Sequence, residues 1–383
     1  MRDYDVISAD SHLETSPDVW RGYVDKEFRE WAPRVEKLSG GGDAWVLPGT
    51  GNVVPLGLNF FSTSSDPRAR WQSAKPIGVS YDDGLLGTGD GNSRLQEMDV
   101  DGVDAEVLFP AVSGQRSLAG IPREAYIAVV RGYNDWLSQE FCAADPDRLW
   151  GVAMLPLTGV QDAIEEMTRV DSLPGIRTVA LAEWPNGSGS PEAEDDQFWQ
   201  AAIDLGMPLS SHGFFGSGAG GDKRIPPGAI PGVNFANINS MLSKNPRAYT
   251  GTQLITEGVL DRLPDLRIYW AETGIGWIPS FCEYADDEYH RHRYWAGVQL
   301  AHEPSWYWRN CFKYSFQIDH HGIRNRDDIG LDNLMWATDF PHMNCDWPDS
   351  EIVIKNQLGD LPDAERRKII RDTALDFFRV PVA

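Results

Sequence analysis

The stretch DVISADSHLE, residues 5–14, sets an apolar, β-branched run directly before Asp10, Ser11 and His12. Such a run predicts a buried strand over 5–9 with polar chemistry at its C-terminal end. In extended backbone, residues i and i+2 point the same way, so Asp10 and His12 reach one point together. Seven further short apolar runs follow, at 103–109, 149–155, 176–181, 207–210, 266–270, 312–316 and 334–337. Helical spacing over 123–144, 161–170, 195–205, 246–262 and 364–378 fills most of the gaps. This alternation predicts an α/β fold of parallel strands and crossover helices, and eight strands make a (β/α)8 TIM barrel.

The chain has 383 residues, longer than a bare barrel of roughly 250. A single domain over 1–383 with an insertion accounts for the excess. The segment 38–92, after strand one, breaks the rhythm with GGGD (40–43), PGTGN (48–52), SDPRAR (65–70) and GTGDGN (87–92). It reads as a surface excursion or a lid over the barrel mouth. A second Gly-rich stretch, 213–232, directly follows His212 and reads as a lid.

A net charge of −23 argues against nucleic acid or an anionic membrane as partner, since both call for clustered Lys and Arg. The four cysteines (Cys142, Cys282, Cys311, Cys345) form no C-x-x-C pair, so neither a zinc knuckle nor a disulfide framework is expected. The N-terminus lacks the apolar core of a signal peptide, and no run of about 18 apolar residues occurs. The expected location is the cytoplasm.

Barrel enzymes carry their catalytic groups at the C-terminal ends of the strands, where the loops converge. Strand five ends in Ser211-His212-Gly213, strand six in Glu272-Thr273-Gly274, and strand eight in Thr338-Asp339-Phe340-Pro341-His342. Together with Asp10 and His12 these are oxygen and imidazole donors of the kind that hold zinc, manganese or iron. Further candidates are His290 and His292 in EYADDEYHRHRYW (283–295), and His320 and His321 after strand seven. Trp270, Trp277, Trp295, Trp306 and Trp336 are candidate pocket walls.

Five segments in order carry a family resemblance: ADSHLE (9–14), FWQAAIDLGMPLSSHG (198–213), LRIYWAETGIGWIPSFCEYADDEY (266–289), PSWYWRNCFKYSFQID (304–319) and LMWATDFPHMNCDWPDS (334–350). They resemble the amidohydrolase-related family that includes aminocarboxymuconate-semialdehyde and resorcylate-type decarboxylases. The resemblance implies a metal held by Asp10, His12, His212 and Asp339. It also implies a His at the end of strand six, where this chain has Glu272, either a general acid/base or a further ligand.

Relatives often carry a His in a D-x-x-x-x-H-R-x-W context, which selects His292. With Glu272 and His292 added, the set becomes three carboxylates and three imidazoles, which resembles a non-haem di-iron or manganese–iron centre. Some amidohydrolase-like proteins are hydroxylases of that type, one of them in platensimycin-type diterpenoid biosynthesis. The favoured expectation is therefore a dinuclear monooxygenase taking O2 and a small organic or terpenoid-like substrate. The alternative is a single zinc or manganese ion serving decarboxylation or hydrolysis of a carboxylated substrate. His342, His321, His290 and Trp277 are expected around the ligands or at the substrate, and relatives suggest a homodimer.

Overall fold

A computed structural model describes residues 2–57, 72, 75, 77–111, 118–188, 191–213, 215, 238, 242 and 248–381. All eight apolar runs form strands. They are β1 (Ile7–Leu13), β5 (Ala105–Pro110), β6 (Leu149–Ala153), β7 (Ile176–Ala180), β8 (Leu209–His212), β9 (Ile268–Ala271), β10 (Phe312–Phe316) and β11 (Leu334–Trp336). Each pairs in parallel with the next, in the order β1-β5-β6-β7-β8-β9-β10-β11. The ends of this sheet meet through a parallel bridge between Ser11 and Phe340, where His12 N–H donates to the Phe340 carbonyl (2.7 Å) and Asp339 N–H to the Asp10 carbonyl (2.9 Å). The barrel is thereby closed at the level of the candidate ligands.

Period-two alternation fills the interior. Ile7, Ala9, Ala105, Val107, Phe109, Trp150, Val152, Ala180, Tyr269, Ala271 and Met335 pack there as one cluster, with Phe377 and Phe378 beneath. The opposite faces pack on the helices. Up to Ala296 the longer ones are α1 (Gly91–Asp101), α2 (Arg123–Trp136), α3 (Val160–Val170), α4 (Asp195–Leu205), α5 (Tyr249–Thr256) and α6 (Ile278–Ala296), with a short turn of helix at Val259–Arg262 and further helices towards the C-terminus. Asp90 caps α1 by accepting from Ser93 N–H, and Gly206 ends α4 in the left-handed conformation its φ of 60° requires. Among the described residues no helix is long and apolar enough to cross a membrane.

Several expectations about element boundaries change. The strand expected at 5–9 runs on through Asp10 and His12, so these residues lie in the sheet rather than after it. The helix expected over 123–144 ends its α-turns at Trp136 and finishes in wider and then tighter turns. That expected over 246–262 is interrupted at Gly258, whose φ is 69°. The excursion at 38–92 is partly regular. Its β3 (Asp43–Leu47) pairs antiparallel with β2 (Arg34–Lys37) and β4 (Asn52–Pro55), while GGGD makes the β2–β3 turn with Gly41 and Gly42 at φ 91° and 84°. Buried Trp45 and Leu47 anchor this sheet. Residues 58–71, 73, 74 and 76 of the excursion lie outside the described residues, as does nearly all of the stretch 213–232 expected as a lid.

Helix α1 braces the barrel closure. Its Arg94 is 1% exposed, pairs with Glu106 Oε2 of β5 at 2.9 Å, donates to the His12 carbonyl, and lies 4.7 Å over the Phe340 ring. One guanidinium therefore grips both strands that meet at the seam.

Candidate metal centre

The register of β1 explains how Asp10 and His12 come to face inward. Ser8 pairs with Glu106 but Ser11 with Leu108, so β1 holds one residue more than β5 between these points. That bulge shifts the inward parity from Ile7 and Ala9 to Asp10 and His12. On β8 and β11 the parity needs no correction: His212 follows Ser210, and Asp339 follows Met335 and Ala337.

Asp10, His12, His212 and Asp339 each offer a ligand atom, and these atoms all lie within 4.8 Å of one another. The Nε2 atoms of His12 and His212 are 2.8 Å apart. His12 Nε2 lies 3.7 Å from Asp10 Oδ1 and 3.4 Å from Asp339 Oδ1, and His212 Nε2 lies 3.6 Å from Asp10 Oδ2. Glu272 stands beside this group, its Oε2 3.6 Å from His212 Nε2 and its side chain 37% exposed. Only three described non-glycine residues have positive φ, and two of them are Glu272 (55°) and Asp339 (59°). Backbone held in that sparsely populated region clusters at functional sites.

The electrostatics suit a cation. Burial, then the neighbouring Asp339 and Glu272, push the Asp10 carboxyl well above its usual range. Burial, then His342 and His212, push the His12 imidazole well below its usual value. Burial also lowers His212, to about 4. Both imidazoles are thus neutral near pH 7, with lone pairs available to a metal. Among the described residues, the buried Asp10 Oδ1 and Asp339 Oδ2 have no hydrogen-bond partner. Buried, unsatisfied carboxylate oxygens beside two neutral imidazoles fit a divalent ion, which supplies the missing positive charge. Two nitrogens and two carboxylates suit zinc, manganese or iron.

The centre opens on a cleft of about 330 Å³ lined by Asp10, Glu272, Thr273, Gly274, Ser315, Gln317, Asp319 and Asn344, among others. Ser315 Oγ accepts the Glu272 N–H (3.1 Å), fixing the strained turn after β9. Asp319 gathers the N–H groups of Ile275, Gly276 and Gly322 at 2.7–2.8 Å, which ties the turn before α6 to the one after β10.

Other expected site residues are spent elsewhere. His292, on α6, has Nε2 2.9 Å from Glu288 Oε2, while its Nδ1 accepts from the Trp295 indole at 2.8 Å. Both ring nitrogens have partners, and His292 is not among the four described donors that converge. His290 pairs with Glu303 at 2.9 Å on the surface, as its position two residues from His292 on a helix requires. His320 and His321 are exposed, and His321 contacts Asn325. Trp277 donates to the Thr273 and Gly274 carbonyls and packs edge-on against Phe281 and Trp308, as part of the helix-side core. Trp270 and Trp336 are likewise buried in that core, whereas Trp306 stacks on His302 at the surface. His342 does reach the centre: its Nδ1 is 2.9 Å from Asp339 Oδ1 and its Nε2 3.2 Å from Glu14 Oε1. Glu14 is a residue the sequence reading passed over. Its place two after His12 continues the i, i+2 series that singled out Asp10 and His12.

Comparison with known proteins follows the same lines. A family model described as "Amidohydrolase" matches residues 67–380. The chain is 27% identical over 313 residues to γ-resorcylate decarboxylase of Rhodococcus jostii, covering 75% of this chain and 87% of that protein. In structure it resembles an amidohydrolase of Mycobacterium avium subsp. paratuberculosis, with a TM-score of 0.72, 19% identity and full coverage of both chains. It also resembles a 5-carboxyvanillate decarboxylase of Novosphingobium aromaticivorans solved with manganese, with a TM-score of 0.63, 17% identity, and 98% and 96% of the two chains covered. Two of these relatives are decarboxylases and none is named as an oxygenase, so the favoured expectation of a hydroxylase finds no support among them.

Proposed function

The chain belongs to the amidohydrolase family of metal-dependent enzymes, and on that premise we propose that it removes the carboxyl group of an aromatic acid, using one divalent ion held by Asp10, His12, His212 and Asp339. The observation that carries this reading is the convergence of these four donors beside a polar cleft that also presents Glu272. The decarboxylase relatives and the manganese in one of the similar structures support it.

A divalent ion there supplies Lewis-acid polarisation of a substrate oxygen. The chain's own residues do the rest. Thr273, Ser315, Gln317 and Asn344 line the cleft and offer neutral hydrogen-bonding groups to ring hydroxyl and carboxylate oxygens. Glu272, at the rim, hands a proton to the ring carbon that bears the carboxylate. The electron pair of the breaking C–C bond then restores the ring, CO2 departs, and Glu272 is reprotonated from solvent. The Glu side chain takes the part that the resemblance assigns to a His.

The test is to load the protein with Mn2+ or Zn2+ and offer hydroxylated benzoic acids such as γ-resorcylate and 5-carboxyvanillate. Release of one CO2 per substrate, without O2 uptake, is expected. Oxygen consumption matched to product, or inertness of the loaded protein towards every carboxylated aromatic offered, would overturn the proposal.

A further inference from the structure

Glu14 is 2% exposed at the end of β1, and a carboxylate is seldom buried so fully without a specific partner. Its partner is His342, whose ring lies between two carboxylates, Glu14 Oε1 at 3.2 Å from Nε2 and Asp339 Oδ1 at 2.9 Å from Nδ1. The same ring stacks on His12, with centroids 4.0 Å apart and planes 26° from parallel. One imidazole therefore touches two of the four donor residues, and one buried carboxylate sets how that imidazole is turned.

We propose that Glu14 is a positioning residue for the metal centre: by fixing His342 it orients the Asp339 carboxylate and the His12 ring towards the ion, an inference that rests on the single-ion reading above. The argument is geometric. Asp339 sits just past the regular hydrogen bonding of β11, on backbone with φ 59°, so the strand alone does not hold its carboxylate. His342 Nδ1 lies 2.9 Å from Asp339 Oδ1, the same oxygen that comes within 3.4 Å of His12 Nε2, so the ring bears directly on the carboxylate atom that joins the donor group. Stacking on His342 limits the tilt of the His12 ring, and a ring free to tilt would swing Nε2 off the common point. Without Glu14 the His342 ring has only one of its two anchors and is free to rotate about the other.

His12, Glu14 and His342 are also close enough to offer ligands to a second ion. Against that use, His342 Nε2 already makes a hydrogen bond with Glu14, and its Nδ1 lies 2.9 Å from Asp339 Oδ1. Partners that orient metal ligands typically change affinity about 10–100-fold when removed, or roughly 1.4–2.8 kcal/mol.

Competition of the full chain with a chromophoric chelator for Co2+ measures affinity, and the visible absorption of bound Co2+ reports the ligand geometry. Glu14→Ala and His342→Ala are expected to weaken binding about 10–100-fold and to alter the absorption band. Glu14→Gln keeps an oxygen acceptor for His342 and is expected to stay near the wild type in both readouts. Thermal unfolding of the metal-free variants reports separately on the fold. Wild-type affinity and spectrum in folded Glu14→Ala would overturn the proposal, and so would a Glu14→Gln as weak as Glu14→Ala. If Glu14→Ala does not fold, His342→Asn, whose short amide cannot bridge both carboxylates, gives the same readout with the same refuting result. A wild-type chain that binds no Co2+ would overturn the single-ion reading itself, a failure visible before any variant is made. More than one Co2+ per chain would overturn the positioning role in favour of a second ion.

Discussion

Acidification of the metal-free protein tests the electrostatics of the centre through His212. Burial lowers this imidazole to about 4 from its ordinary 6.5, and the side chain is only 14% exposed, so solvent screens the effect little. A His depressed in the folded state is neutral there while its unfolded counterpart takes up a proton. Its contribution to stability is therefore complete above the unfolded pKa and is lost as pH falls from 6.5 through 4. Between pH 7.5 and 4.5 the linkage amounts to about 2.5 kcal/mol. Other groups titrate in the same window, His12 among them, so the measurement must be differential. Urea unfolding of the wild type and of His212→Asn, both with chelator present, at pH 7.5 and 4.5 isolates the term. The wild type is expected to lose about 2.5 kcal/mol more than the variant, which has nothing to protonate at that position. Equal losses in the two chains, within about 0.5 kcal/mol, would refute a neutral His212 in the folded protein. A metal needs the same neutral nitrogen, which the folded chain keeps down to about pH 4, so protonation of His212 is expected to limit metal affinity only near and below that pH, as chelator titrations on either side of it would show.

Glu272→Gln removes the proposed proton donor while leaving the four converging donors in place, so turnover should fall about 10²–10⁴-fold. Metal content measured by elemental analysis should stay at the wild-type value, and its loss would make Glu272 a ligand instead. His292→Ala should leave metal stoichiometry unchanged, because both ring nitrogens are already committed to Glu288 and Trp295. A drop from two ions to one on this change would revive the dinuclear centre. Asp319→Ala strands three backbone N–H groups that now converge on one carboxylate, and should cost about 2–4 kcal/mol in chemical denaturation. An unchanged denaturation midpoint would mean that solvent satisfies those groups.

Strand identity and order were legible from the sequence because the signal is local: eight apolar runs separated by helical spacing leave little choice of architecture. That donors gather at the strand ends was legible for a related reason, since a barrel brings all its strand ends to one mouth, and the family resemblance singled out the four among them. Glu272 was legible as a departure from the family pattern, and its positive φ sets it beside Asp339 as a residue under backbone constraint. The histidines were harder. His342 and His292 look equally available in the sequence, yet one is drawn against Asp339 and Glu14 while the other is satisfied by its own helix. Nothing in local spacing distinguishes them, because the deciding partners include residues some 330 positions away for one and within four for the other.

By itself, then, the sequence determined the barrel and the kind of atoms at its mouth, through periodicity and the chemistry of side chains at strand ends. Tertiary structure decided which of those atoms meet. The extra residue in β1 turns Asp10 and His12 inward, the seam between Ser11 and Phe340 brings Asp339 to them, and Arg94 holds that seam shut. Each of these is a contact between distant segments, and only a closed sheet creates the register in which they occur.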